Sequence, residues 1–405
     1  MFLFRLIQFP LNIIKDFDQC FYQFIWRGKT HKVKQSVMIQ DFKDGGLKMI
    51  DTMSILKSEQ LNWIKQYLNN TEGVWRSTME ACIGVENLNI LLRGNFDPSL
   101  LKNCTPFYLE VLKAWLSIRY SPLKEDRDCS NEYLFYNKHI CINGQMIYNK
   151  AIFTAGIWFV KDIFSSDKKV LKLHDLQRRG LNANDILKFN SVVSAVPTDW
   201  KKRIQPDKYP NQHICVQYKH EKKEITQLSS KEIKEIFIDK KKTTPSAKIK
   251  YNQEFDIDEK TWQDIYLLPQ KLLFDNNIYE TQFKILHMYI PTNKLLHRMK
   301  KNPSSTCNFC SIYCQDIFHL FYDCLEVKNF WFNVEKWFNT KYGLNVEIVR
   351  LDVFLASSTE QAELMKVIFY GKHFIVQCKH NNMELEVNDF VILLQQMIRY
   401  EAELK

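Results

Sequence analysis

Glycine and proline are both scarce, 11 of each in 405 residues, which excludes collagen-like repeats and long structureless linkers. No stretch approaches 18 uninterrupted apolar residues, so a membrane-spanning helix is not expected and no membrane partner is implied. The apolar start, Met1 to Ile14, is interrupted by Arg5 and Gln8 and followed by no small-residue cleavage site. It reads as a buried helix start rather than a signal peptide. A Gly-x-Ser-x-Gly elbow, a phosphate-cradling glycine loop and a dinucleotide fingerprint are all missing, which disfavours the chemistries those motifs carry.

What is present is the composition of an ordered protein. Hydrophobic residues make up 45%, charged residues 25% and aromatics 14%, enough to bury a sizeable core in two or three structural units. The formal charge of +10 favours polyanionic partners, and lysines interleaved with Trp, Tyr and Phe suit phosphate contact combined with base stacking. Charge alone is weak support, because many ordinary proteins are this basic. The 11 cysteines, an odd number with no secretory leader, point to free thiols in a reducing intracellular compartment, nucleus or cytoplasm. Four of them crowd between Cys307 and Cys324.

Apolar periodicity predicts a mainly α protein with small β-hairpins, an α+β chain dominated by helices. Phe17, Phe21, Phe24 and Ile25, then Ile55, Leu56, Leu61 and Ile64, recur at helical spacing, separated by Asp44-Gly45-Gly46-Leu47, where the chain can turn sharply. Further helices are expected over Phe107–Ile118, Leu171–Arg179, Asn184–Phe189, Lys231–Phe237, Trp262–Leu268, Ile278–Ile290 and Val327–Phe338. Asn143-Gly144, flanked by His139–Ile142 and Gln145–Tyr148, predicts a hairpin with a type I′ turn. A second hairpin is expected from Ile214–Tyr218 and Glu224–Leu228 across a Lys-rich turn, and Lys240 to Pro245 reads as an exposed linker. The expected organisation is a helical segment over 1–70, a mixed connector over 71–250 and a helical metal-binding region over 251–405.

The spacing Cys307-x2-Cys310-x8-His319-x4-Cys324 is that of a metal knuckle. A two-residue gap lets both thiolates reach one ion from a tight turn, and residues five apart at a helix start bring an imidazole and a thiolate to the same centre. Four such ligands fill the tetrahedral sphere of zinc and leave no open position, so the site is expected to be structural rather than catalytic. Its binding free energy would act as local folding energy, on the order of 10 kcal/mol. Cys314 supplies a competing set, Cys310-x3-Cys314-x4-His319-x4-Cys324, close in spacing to a retroviral zinc knuckle. Five donors thus compete for four places, with Cys307 preferred to Cys314.

These residues and their surroundings resemble a known family. Phe283 to Asn293, then the cysteine pair, His319-Leu-Phe, Cys324 and Phe330-Trp331, resemble the CCHC zinc-binding region that follows the reverse transcriptase in LINE-type, non-LTR retrotransposon polyproteins. Phe24-Ile25-Trp26 and Gly45-Gly46-Leu47 with Asp51 resemble the thumb-like segment just after the polymerase palm, over 1–70. His139 to Gly144 with Gly156-Ile157, and Ser194 to Pro197 with Trp200, resemble the connector between thumb and zinc region. The order and spacing of these short motifs cover nearly the whole chain. The resemblance implies RNA or DNA as partner, with an upstream polymerase fragment as a further one. It also carries a departure: the family's polymerases bind catalytic metals through an aromatic-x-Asp-Asp motif, and this chain has no Asp-Asp dipeptide. A non-catalytic, truncated or separately encoded copy is therefore expected.

For nucleic-acid contact the candidates are basic residues beside aromatics. Near the start these are Trp26, Arg27, Lys29, His31, Lys32 and Lys34; before the cysteine cluster they are Lys284, His287, Lys294, His297, Arg298, Lys300 and Lys301. Trp26 and Trp331 read rather as core residues than as stacking platforms, and His287 as a packing residue of an amphipathic helix. Pro206-Asp207 with Glu232-Ile233-Lys234 matches the letters of a restriction-like nuclease, but it precedes the cysteine cluster and reads as a solvated helix face. A scaffold module whose zinc knuckle only staples helices together is the alternative of a different class.

Overall fold

A computed structural model of the chain describes residues 9–28, 31–69, 72–119, 129–204, 214–356 and 362–403. Helices dominate, accompanied among the described residues by two small antiparallel two-stranded sheets. The chain divides into two compact units, Met1–Gln19 with Asp51–Lys240 and Cys20–Ile50 with Lys241–Lys405. No helix among the described residues is long and apolar enough to cross a membrane.

In the first unit the helix Thr52–Asn69 is flanked by Pro106–Ile118 and Ser230–Asp239. Each contributes a stripe at three- to four-residue spacing: Leu61 and Ile64; Val111, Leu112, Trp115 and Ile118; Ile233, Ile236 and Phe237. Trp115 is fully buried and its indole N–H is satisfied by the Leu92 carbonyl at 3.0 Å. Ser230–Asp239 starts at a capping box, in which Glu232 N–H donates to Ser229 Oγ at 3.2 Å and Ser229 N–H donates to Glu232 Oε2 at 2.8 Å. Glu232 is thereby engaged in holding a helix end, while Asp207 lies outside the described residues.

The hairpin at Asn143-Gly144 forms as expected, pairing Cys141–Ile142 with Gln145–Met146, and both turn residues are left-handed at φ 52° and 71°. The second hairpin differs from its expectation. Cys215–Tyr218 pairs with Glu221–Glu224, so the Lys-rich segment is itself the strand, and Ile225–Gln227 continues as a 3-10 turn. The loop is Lys219-His220, left-handed at φ 46° and 67° without the Asn or Gly that marks such a turn. The charged strand leans on its partner, with the Lys223 ammonium 5.3 Å from the Tyr218 ring centre, and the loop Lys219 ammonium lies 4.8 Å from the same ring.

The helix Leu11–Ile25 is present, but Phe17 and Phe24 are exposed while Ile14 and Tyr22 are buried. Of the buried start expected over Met1 to Ile14, residues 1–8 lie outside the described residues; within 9–14, Ile14 is buried, while Leu11 and Ile13 are exposed. The helices Val74–Ile83 and Leu88–Arg93 had no counterpart in the sequence reading.

The second unit packs helices Ser246–Phe255, Glu259–Leu272, Asn276–Leu286, Leu325–Tyr342, Ala362–Asn381 and Val387–Glu403 about Tyr251, Trp262, Phe330, Trp331 and Phe354. Trp331 is a core residue, with its N–H on the Phe321 carbonyl at 2.8 Å. It lies against Gly371, where an added Cβ would come within 2.6 Å of the indole, so only glycine lets these two helices approach so closely. The Gly45-Gly46 turn is as tight: a Cβ on Gly46 would meet the Gln40 carbonyl oxygen at 2.2 Å. His287 Nε2 contacts the Gly45 carbonyl at 2.9 Å, and burial lowers the His287 pKa to about 4, so the neutral ring donates this bond. The helix expected through Ile290 ends at Leu286, because Met288 turns left-handed at φ 52° and Tyr289 N–H closes back onto the Lys284 carbonyl at 3.0 Å.

Candidate metal centre

The donor group lies within the second unit. Residues 302 to 315 form no helix, and the first ligand pair sits in a turn closed by Cys307 N–H on the Tyr313 carbonyl at 2.8 Å and Ser311 N–H on the Cys307 carbonyl at 3.0 Å. Ser311 is left-handed at φ 56°, which lets so short a segment fold back. The second pair comes from a π-helical turn, His319–Asp323, in which Cys324 N–H bonds the His319 carbonyl at 3.2 Å. That wider turn sets His319 and Cys324, five residues apart, on one side, where an ordinary helical turn aligns residues three or four apart.

The result is a group of four donors, Cys307, Cys310, His319 and Cys324, all within 4.8 Å of one another. Cys307 Sγ lies 3.9 Å from Cys324 Sγ, and Cys310 Sγ lies 3.4 Å from His319 Nε2. Tetrahedral zinc with Zn–S near 2.3 Å and Zn–N near 2.05 Å separates two thiolates by about 3.8 Å and a thiolate from an imidazole by about 3.6 Å. The donor set and its spacing are therefore compatible with zinc, and these four residues can hold a metal ion. Cys314 is exposed, bridges by its backbone to Thr306 and stands outside the group.

The surroundings favour a thiolate at Cys307. The Cys307 pKa is lowered by the hydrogen bond from Cys324, by backbone N–H groups of Cys310 and Phe309, and by Gln315, whose Nε2 donates to Cys307 Sγ at 3.5 Å. The same contact, with burial, raises Cys324, so the two sulfurs lose their protons as a pair rather than independently. Cys324 also receives the backbone N–H groups of Val327 and Glu326 at the start of Leu325–Tyr342, where a helix terminus favours negative charge.

Three residues that are not themselves ligands, Gln315, Asn293 and Asp316, hold the site in place. Gln315 is completely buried; besides reaching Cys307, its Oε1 accepts from Asn293 N–H at 3.1 Å and its carbonyl accepts from Lys294 N–H at 3.0 Å. Asn293 Nδ2 donates to the Thr306 carbonyl and to Asn308 Oδ1, both at 2.6 Å. Asp316 accepts His319 N–H at 3.0 Å and pairs with Lys294 at 3.3 Å. The ligand loop and the helix Asn293–Arg298 are thus tied into one hydrogen-bonded piece. A fully buried glutamine beside a ligand motif is the signal; its burial cannot be read from the motif.

The basic candidates fall in two places. Lys294, Arg298, Lys300 and Lys301 are exposed on Asn293–Arg298 and the turn that follows it, directly before the ligand loop. Trp26, half-buried, and the exposed Arg27 and Lys32 line a cavity together with Lys284 and Tyr289. Lys29 lies outside the described residues. His31 packs on Tyr22 at 4.2 Å between ring centres, and His297 contacts the Asn302 carbonyl at 3.1 Å. Compared with known proteins, the chain matches no family model and no curated sequence.

Proposed function

We propose that the chain is a non-catalytic nucleic-acid-binding module of retrotransposon type, in which one structural zinc orders the loop bearing Cys307 and, through it, the adjoining basic surface. The observation that carries this reading is the bonded path from ligand to cation: Cys307 to Gln315, and Gln315 to the backbone of Asn293 and Lys294. A metal that fixes the loop then fixes the start of the helix presenting Lys294 and Arg298, with Lys300 and Lys301 on its trailing turn. Point charges held in a defined array neutralise phosphates with less ordering cost than flexible ones. The net charge of +10, the missing Asp-Asp and the resemblance to the retrotransposon CCHC region agree with it.

The test is affinity for structured RNA and nicked duplex DNA against salt. Log affinity is expected to fall linearly with log salt, and replacing Lys300 and Lys301 by Glu should flatten the slope. No binding at low salt overturns the reading. Ile312 and Tyr313 stand 70% and 64% exposed on the ligand loop, and this apolar tip supports a second reading, a knuckle that docks a protein. Salt-insensitive capture of a protein, with no nucleic-acid binding, selects it.

A further inference from the structure

Two stretches some 250 residues apart in sequence converge in the second unit on a cavity of about 450 Å³, within the usual range of about 300–1,000 Å³ for a small-ligand site. Its walls include Trp26, Phe283 and Tyr289. The rings stand edge-on: Trp26 to Tyr289 at 5.6 Å and 65°, Phe283 to Tyr289 at 6.2 Å and 73°. No two of these three are stacked on one another, so a flat heteroaromatic guest can find an open π-face. The Trp26 N–H has no acceptor, so ring packing rather than a hydrogen bond holds the indole.

Arg27, Lys32 and Lys284 also line the cavity, against one carboxylate, Glu280, which Lys284 pairs at 2.7 Å. With Lys284 paired to Glu280, Arg27 is the cation on which the preference rests, and a guest with an anionic group is favoured over a purely apolar one. Arg27 sits where the helix Leu11–Ile25 has ended, left-handed at φ 48° and followed by Gly28 at φ 70°. An arginine in that conformation costs roughly 1–2 kcal/mol relative to a glycine. The conformation belongs to the helix end, where Gly28 N–H closes onto the Gln23 carbonyl at 2.9 Å, and it sets the exposed Arg27 on the cavity wall.

Resting on the nucleic-acid reading above, we propose that this cleft holds one unpaired nucleotide of a single strand, its base against the Trp26, Phe283 and Tyr289 rings and its phosphate on Arg27. The test uses the full zinc-loaded chain and single-stranded oligonucleotides carrying 4-thiouridine. After irradiation, the crosslinked peptides are expected to contain Trp26, Phe283 or Tyr289. Tyr289→Ala is expected to weaken single-strand binding roughly tenfold, the size of losing one stacked base. Arg27→Glu, on an exposed residue that the fold does not require, should weaken it by a similar factor with the circular dichroism spectrum unchanged.

Crosslinks confined to the stretch Lys294–Lys301, with affinity indifferent to Arg27→Glu, overturn the cleft while leaving the nucleic-acid reading intact. Absence of binding to every nucleic acid overturns both. Free nucleoside monophosphate binding as tightly as the oligonucleotide, or an acidic aromatic peptide displacing it, overturns the strand as occupant.

Discussion

The core of the first unit and the ligand loop of the second order their chains by opposite means. Around Trp115, Leu112, Phe135 and Val216 the constraint is spread over many buried hydrocarbon groups, each contributing a little. From Asn302 to Gln315 there is no helix, Ile312, Tyr313 and Cys314 are exposed, and order depends on Cys307, Gln315, Asn293 and the donor group. A distributed core weakens by degrees when one residue is changed. A concentrated one is close to all-or-none, because the same few atoms supply both the ligands and the hydrogen bonds that aim them.

The strongest way to break this comparison is to deny the donor group the zinc proposed for it. Binding energy on the order of 10 kcal/mol should disappear with it, so chelation is expected to abolish amide exchange protection over residues 293–324 and leave Thr52–Asn69 and Pro106–Ile118 protected. Equal loss in all three segments would mean that the metal does not act locally. The converse experiment is Trp115→Ala, expected to cost about 3–5 kcal/mol in denaturant unfolding of the first unit with bound zinc unchanged.

A proton sharpens the contrast at a third place. Burial lowers the His287 pKa from the ordinary histidine value of 6.5 to about 4, so the folded state favours the neutral ring. The stability this contributes is full above pH 6.5 and is lost as pH falls towards 4, on the order of 3 kcal/mol in all. Wild type should therefore lose stability relative to His287→Gln between pH 7 and pH 4 in unfolding titrations; parallel curves would refute the assignment. The smallest effect expected is that of Gln315→Leu, which keeps all four ligands but removes the donor to Cys307. Zinc affinity should fall 10- to 100-fold in a competition titration, and an unchanged affinity would show that Gln315 only packs.

What could be read from the sequence follows the range of the forces involved. The ligand motif is legible because its donors lie within 18 residues, and Asn143-Gly144 because a type I′ turn selects those two residues. Lys219-His220 makes a similar turn with residues that carry no such signature, so its register was missed. The apolar stripes of Thr52–Asn69 and Leu325–Tyr342 announce helices, but the exposure of Phe17 and Phe24 depends on packing that periodicity does not encode. Gln315 and the cleft beside Trp26 depend on contacts made only in the folded chain; Trp26 and Tyr289 are 263 positions apart.

The most direct test of the account is bound zinc per chain, measured by mass spectrometry of the metal in wild type, Cys307→Ser and Cys314→Ser. One zinc in wild type and in Cys314→Ser, with none in Cys307→Ser, is the result expected from the donor group. A wild-type chain that takes up no zinc, or one that loses it in Cys314→Ser and keeps it in Cys307→Ser, would contradict it.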